Sequence, residues 1–161
     1  IDSIRLTGGE PLVRKDFDEI LHRLSGLKAE LLVTTNGSLV HRHMEAFREA
    51  GVNSVNVSLD SLRPESFEKI TRLKAFEQVR TNIMMLLDHG IKVKINAVAM
   101  RGSIENELHD FIELTRNHPF HVRFIEFMPF DGNRWEWEKV VPLDGFVFIT
   151  KGKLFFIFPI I

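Results

Sequence analysis

Short apolar or β-branched runs alternate with helical stripes along this chain. The runs are SIRLT (residues 3–7), LLVTT (31–35), SVNVS (54–58), VKINAV (93–98) and VRFIEF (122–127). Runs of this length, bounded by turn residues, read as strands buried on both faces. Between them, Phe17, Ile20, Leu21 and Leu24 recur at the spacing that puts them on one helix face. Asp16 is placed to cap that helix and Gly26 to close it. Met44, Phe47 and Ala50 mark a second helix, followed by Gly51. In the longer third connection, Pro64 suits a helix's first turn, and Val79, Ile83, Leu86 and Leu87 form a stripe ending near Gly90. Leu108, Phe111, Ile112 and Thr115 mark another helix, stopped by Asn117, His118 and Pro119. Strand then helix, four times over and ending on a fifth strand, predicts parallel α/β architecture. Right-handed crossovers leave a doubly wound sheet or a (β/α) barrel, and the pattern does not separate them.

The length of 161 residues suits one domain, and 44% apolar residues supply a core. Lys plus Arg is 21 against 22 Asp plus Glu, a balance that gives no support for a protein that coats nucleic acid. No uncharged apolar run reaches about 18 residues, so no transmembrane helix is expected. The opening IDSIRLTGGEP has no basic segment leading into an apolar one, so no signal peptide is visible. It begins like a strand and without Met, which predicts a start inside a larger protein. There is no cysteine, which excludes disulfides, thiolate-bound zinc, thiolate-bound iron–sulfur clusters and a thiol nucleophile within this stretch. The last segment, PLDGFVFITKGKLFFIFPII, has no helical stripe. FVFIT and LFFIF fit a hairpin around Lys151-Gly152-Lys153, and the simpler reading is an apolar tail without a partner. The expected organisation is therefore an α/β region at 1–141 and a tail at 142–161.

Ligands of parallel α/β folds bind at the C-terminal strand ends. After the first strand, Thr7-Gly8-Gly9-Glu10-Pro11 offers backbone that a ligand can approach closely, with a carboxylate beside it. An ordinary tight turn explains the glycine pair alone. Thr34-Thr35-Asn36-Gly37 after the second strand reads first as a turn with a left-handed residue. After the third, capping explains Asp60 and Ser61 but leaves Ser58, which shares a strand face with Asn56. Lys94 and Asn96 share a face of the fourth strand. A cation there needs a partner, and either an anionic ligand or an internal carboxylate such as Glu126 would serve. Arg5 on the first strand poses the same question. His41 and His43, two residues apart, do not share a helix face and make a poor metal pair. Asp131-Gly132-Asn133 reads as a turn, with Trp135 and Trp137 beyond it.

The strings IRLTGGEPLVR, TTNG, VNVSLDSL, VKINAVAMRG and VRFIEFMPFDGNRW follow one another across residues 1–141. In that order they resemble the MoaA-type GTP 3′,8-cyclases, radical S-adenosylmethionine enzymes that open molybdenum-cofactor biosynthesis. TGGEP is shared by many radical S-adenosylmethionine enzymes, whereas the whole set is specific. The resemblance implies a partial (β/α)6 TIM-like barrel, of which this chain carries the second to sixth strands and lacks the first. It implies S-adenosylmethionine contacts at Gly9, Ser58 and Met128, and GTP contacts at Arg5, Thr34 and Lys94. The family's [4Fe–4S] clusters sit on cysteines that this chain does not contain. The chain alone is accordingly expected to be inactive, with no metal ligands and no assignable catalytic residue. Charge balance and the lack of a long apolar run lead to the expectation of no nucleic-acid or membrane partner; a homodimer in the full-length protein and a cytoplasmic or, in a eukaryote, mitochondrial-matrix location are expected as well. The alternatives are a non-catalytic truncated product that only binds nucleotide or a partner chain, and a peptide-modifying relative, against which Arg5 and Lys94 argue.

Overall fold

The computed structural model describes residues 1–102 and 106–127, with the backbone of the strands Phe148–Thr150 and Lys153–Phe155. In chain order the elements are β1 (Ser3–Leu6), a 3-10 turn (Pro11–Val13), α1 (Phe17–Ser25), β2 (Glu30–Thr35), α2 (Val40–Glu49) and β3 (Val52–Ser58). There follow α3 (Pro64–Thr71), α4 (Phe76–Asp88), β4 (Lys92–Ala99), α5 (Leu108–Asn117) and β5 (His121–Glu126). The five strands form one sheet in the order β1-β2-β3-β4-β5, and β2 pairs parallel with both β1 and β3. A doubly wound sheet reverses its strand order at a switch point, whereas a barrel wall keeps chain order. The unbroken order therefore decides between the two architectures that periodicity left open. The sheet ends at β1 and β5 and is not closed.

The alternation expected of the strands is present. Leu31, Val33 and Thr35 of β2 are buried while Leu32 and Thr34 are half-buried. In β4, Val93, Ile95, Ala97 and Ala99 are buried while Lys94, Asn96 and Val98 are half-buried. In these two strands one face thus belongs to an apolar core, and the other carries Thr34, Lys94 and Asn96.

The residues group into two compact units, Ile1–Ser58 with Leu73–Lys94, and Leu59–Arg72 with Ile95–Ile161. In the first, the stripe residues Phe17, Leu21, Met44, Phe47, Val79, Ile83 and Leu86 are all buried. The Phe17 and Phe47 rings meet edge-on with centroids 6.1 Å apart, a favoured arrangement of aromatic quadrupoles. His43 of α2 places Nδ1 2.6 Å from Asp18 Oδ1 and Nε2 3.0 Å from the Leu12 carbonyl, which joins α1, α2 and the 3-10 turn. In the second unit, Phe67, Phe111, Ile112, Val122 and Phe124 are buried, and the Phe111 and Phe124 rings meet edge-on at 5.7 Å.

Several local expectations need correction. Asp16 occupies the N-cap of α1 but makes no capping bond, because its carboxylate pairs with Arg14 at 2.6 Å. Gly26 closes α1 in the right-handed region at φ −71°. Gly51 and Gly90 take positive φ, +69° and +74°, and so end α2 and α4 as glycines commonly do. Neither Asp60 nor Ser61 caps α3, whose N-cap is Arg63, with Pro64 at the first helical position. Phe148–Thr150 and Lys153–Phe155 pair antiparallel, and Lys153 stands opposite Thr150 as a strand residue, not a turn residue. Met128, the Asp131-Gly132-Asn133 turn, Trp135, Trp137 and the boundary at 141/142 lie outside the described residues.

Candidate functional site

The turn after β1 is organised by Glu10. Pro11 has no N–H, so the first donor of the 3-10 turn that needs a partner is Leu12 N, which donates to Glu10 Oε1 at 3.1 Å. The same oxygen accepts from Thr35 Oγ1 at 2.7 Å, and Oε2 accepts from Asn36 N at 2.6 Å. One carboxylate therefore ties the strand end of β1 to the strand end of β2. The sequence places this carboxylate beside the glycine pair without saying what it bonds. The structure spends it on three protein donors.

Beside it, Gly8 sits at φ +154°, and a Cβ on Gly8 or Gly9 would meet nothing within 4 Å. The backbone at these two residues borders open space, as a ligand cradle requires. Gly37 is different. It sits at φ +80°, and a Cβ there would lie 2.8 Å from Val57 Cγ1 and 3.2 Å from Val79 Cγ1. Packing and conformation both demand glycine. Asn36 Oδ1 accepts from Ser38 N at 2.9 Å and Ser38 Oγ at 2.7 Å, and Thr35 Oγ1 accepts from Gly37 N at 3.0 Å. The turn reading thus accounts for Asn36 and Gly37, while Thr34 points to the other face of the strand.

On that face the register aligns a polar set. Arg5 pairs with Leu32, Leu32 with Ser54, and Thr34 with Asn56. Arg5 Nη1 lies 3.5 Å from Thr34 Oγ1. Ser54 and Asn56 are both 5% exposed, and Ser54 Oγ and Asn56 Oδ1 have no hydrogen-bond partner. Ser58 ends the same face and is exposed. Buried polar atoms without partners are rare, because each loses its water without a replacement bond. A sheet face lined by them fits a polar ligand better than it fits a core.

Of the residues expected at the site, Arg5 and Thr34 are brought into contact. Gly9 lies in the open turn and Ser58 at the strand end. Met128 is outside the described residues. Lys94 belongs to the same compact unit but shares no described contact with Arg5 or Thr34. The burial expected for the two strand cations needs correction: Arg5 is exposed and Lys94 half-buried. Within its own compact unit, no ion-pair partner of Lys94 is among the described residues.

The second compact unit holds two carboxylates, Asp60, expected as a helix cap, and Glu107, which the sequence does not single out. Asp60 Oδ1 accepts from Val98 N at 2.8 Å. Burial pushes the Asp60 carboxyl above its ordinary value, partly offset by that bond. Glu107, 2% exposed, accepts from Ser61 Oγ at 2.8 and 2.9 Å and from Leu62 N at 2.6 Å. Ser61 Oγ in turn accepts from Arg63 N at 3.1 Å. Nothing local marks Glu107, since an acidic residue at the start of a helix ordinarily reads as a solvated complement to the helix dipole.

Asp60 yields a pH prediction. A raised folded-state value means that the folded protein holds this proton more tightly than the unfolded chain does. The stabilisation is complete below the ordinary value near 3.8 and is lost as pH rises through the folded value. Asp60→Asn keeps an acceptor for Val98 N without burying a charge. Thermal melts should show the variant at or above the parent at pH 7, and a shallower fall in Tm above about pH 4. A parent that is the more stable protein at pH 7 would show that the charge is needed there.

Residues 1–115 match the family described as the radical SAM superfamily. The chain is 49% identical over 145 residues to the Arabidopsis thaliana protein "GTP 3′,8-cyclase, mitochondrial", covering 88% of this chain and 37% of that one. It is 49% identical over 144 residues to the mouse "Molybdenum cofactor biosynthesis protein 1", covering 88% of this chain and 23% of that one. The chain thus spans well under half the length of these relatives. Among solved structures it resembles Streptococcus suis SuiB bound to S-adenosylmethionine, with a TM-score of 0.67 at 19% identity over 86% of this chain and 32% of that one.

Proposed function

The chain belongs to the radical SAM superfamily, and from that premise we propose that it is the central part of a GTP 3′,8-cyclase. The proposed activity is the first step of molybdenum-cofactor biosynthesis, with S-adenosylmethionine as cofactor and GTP as substrate. The observation that carries this reading is the polar sheet face running from Arg5 through Thr34 and Asn56 to Ser58, with buried oxygens left unpartnered.

The residues present fit S-adenosylmethionine. The open backbone at Gly8 and Gly9 suits its methionyl end, Ser58 offers a hydroxyl at the strand end, and Met128 completes the proposed contacts. When bound, S-adenosylmethionine supplies the radical chemistry of the superfamily. The residues do not fit a [4Fe–4S] cluster, because this chain has no cysteine. Binding and orientation are therefore this segment's share of the work, and the chain by itself does not turn over. That lack of thiolates supports a second reading, a truncated product that binds nucleotide without catalysis. The location follows from the first reading: the mitochondrial matrix in a eukaryote, the cytoplasm otherwise.

For GTP, Arg5 and Lys94 supply positive charge to the triphosphate. Thr34 Oγ1 accepts from the Arg5 guanidinium, which steadies that side chain and leaves the threonine hydroxyl free to donate to a phosphate oxygen. Lys94→Met should weaken GTP binding by roughly 10- to 150-fold, the equivalent of one lost charge-assisted contact. Affinity for S-adenosylmethionine should barely change, since its proposed contacts are elsewhere. Calorimetric titration of the full-length protein with each ligand separates the two. Unchanged GTP affinity together with a large fall in the melting temperature of the free protein would make Lys94 a structural residue and remove the phosphate role.

A further inference from the structure

The apolar stripe of α4 is interrupted by Asn82. This residue is wholly buried, one helical turn from Val79 and Leu86 and beside Ile83. A buried carboxamide in a helix costs both helix propensity and hydration, so leucine would fill the stripe better unless each polar atom finds a partner. Here each one does. Asn82 Nδ2 donates to the Gly37 carbonyl at 2.7 Å, and it lies 3.2 Å from the Ser38 carbonyl and 3.3 Å from His41 Nδ1. Oδ1 accepts from Gln78 Nε2 at 3.0 Å, which fixes the way the carboxamide faces. The two carbonyls are 45 and 44 residues away along the chain, in the turn that follows β2.

That turn begins two residues beyond Thr34, the threonine that meets Arg5. The ladder between β1 and β2 stops at Val33, whereas β2 and β3 pair on through Thr35. Thr34 is therefore held by strand pairing on one side only, and the turn beyond it is held by side chains. Glu10 grips the turn through Asn36 N, and Asn82 grips it from α4 through Gly37 and Ser38. We propose that Asn82 is a positioning residue of this site, which sets where Thr34 presents its hydroxyl to a triphosphate. The proposal rests on the reading of Arg5, Thr34 and Lys94 as GTP contacts. With no exposed surface and its polar atoms bonded within the protein, Asn82 acts through the turn and not on the ligand. Binding groups need their supports to hold them within about 0.5 Å of the productive place, and a loosened turn gives that up at Thr34.

The test is calorimetric titration of the full-length protein with GTP and with S-adenosylmethionine, in the parent, Asn82→Ala, Thr34→Ala and the double variant. Asn82→Ala is expected to lower GTP affinity roughly five- to tenfold and to change S-adenosylmethionine affinity much less. In the Thr34→Ala background the same change should lower GTP affinity by less than about twofold, because the hydroxyl it would misplace is gone. Asn82→Ala also removes buried hydrogen bonds and lowers the melting temperature, so affinities are measured well below the melt. Should it not fold, the exposed Gln78 offers a milder variant, since Gln78→Ala frees the same carboxamide from its orienting bond. A loss of roughly two- to fivefold in GTP affinity, again absent without the Thr34 hydroxyl, then carries the test. Additive losses in GTP affinity, equal losses for both ligands, or a folded variant that binds GTP like the parent each overturn the inference and leave Asn82 a packing residue. A parent protein that does not bind GTP overturns the reading of the site itself.

Discussion

Glu10→Ala is expected to destabilise the protein by about 3 kcal/mol, which for a chain of this size is a fall in Tm of roughly 6 to 12 °C. The substitution leaves three donors without their acceptor: Leu12 N, Thr35 Oγ1 and Asn36 N. Hydrogen bonds to a charged acceptor contribute about 1.5–3 kcal/mol each. The full sum is not expected, because Glu10 is half-buried and water can reach part of the gap. Glu10→Gln keeps one oxygen but turns an amide toward donors, and should fall about midway. A second readout belongs to function. The carboxylate holds the turn containing Gly8 and Gly9 against the turn that follows Thr34, so ligand affinity should drop in the same order, Ala below Gln below Glu. A Glu10→Ala protein within about 0.5 kcal/mol of the parent, the range of an ordinary surface change, would show that the three bonds are exchanged for water at no cost.

Glu107→Ala should cost about 2–4 kcal/mol, and its signature is coupling to Ser61. The carboxylate is buried and accepts from Ser61 Oγ and Leu62 N, so removing it strands a buried hydroxyl and a backbone N–H. Removing the serine alone leaves a buried carboxylate with one donor fewer, which is also costly. Once Glu107 is gone, the hydroxyl has lost its acceptor, and Ser61→Ala should then cost little. Chemical denaturation of the two single variants and the double variant should give an interaction energy above about 1 kcal/mol. Additive losses would mean that the two groups do not share a network.

The elements were legible because their signals are local. The stripe of Val79, Ile83 and Leu86 repeats at the helical period, and all three residues are buried in α4. The alternation of Val93, Ile95 and Ala97 with Lys94 and Asn96 repeats at the strand period and reappears in the burial of β4. Each signal spans fewer than ten residues or so, and backbone geometry ties it to a face. Glycines that end helices at positive φ are local in the same sense, and Gly51 and Gly90 behave as their positions suggest.

Function-bearing detail divided differently. The sequence by itself determined which residues of one strand share a face: Asn56 with Ser58 on β3, and Lys94 with Asn96 on β4. It also determined, by the count of cysteines, that no thiolate-held cluster can sit in this stretch. Only the tertiary structure decided what each polar group does there. Glu10 finds its acceptor role 25 and 26 residues along the chain, and Ser61 meets Glu107 across 46 residues. Asp60, a plausible cap by spacing, bonds instead to Val98 N, 38 residues away. The physical reason is that periodicity assigns a side chain to a face, whereas a hydrogen bond needs its donor and acceptor within about 3 Å. That distance is set by strand order and register, and these are properties of the assembled sheet, not of any one strand.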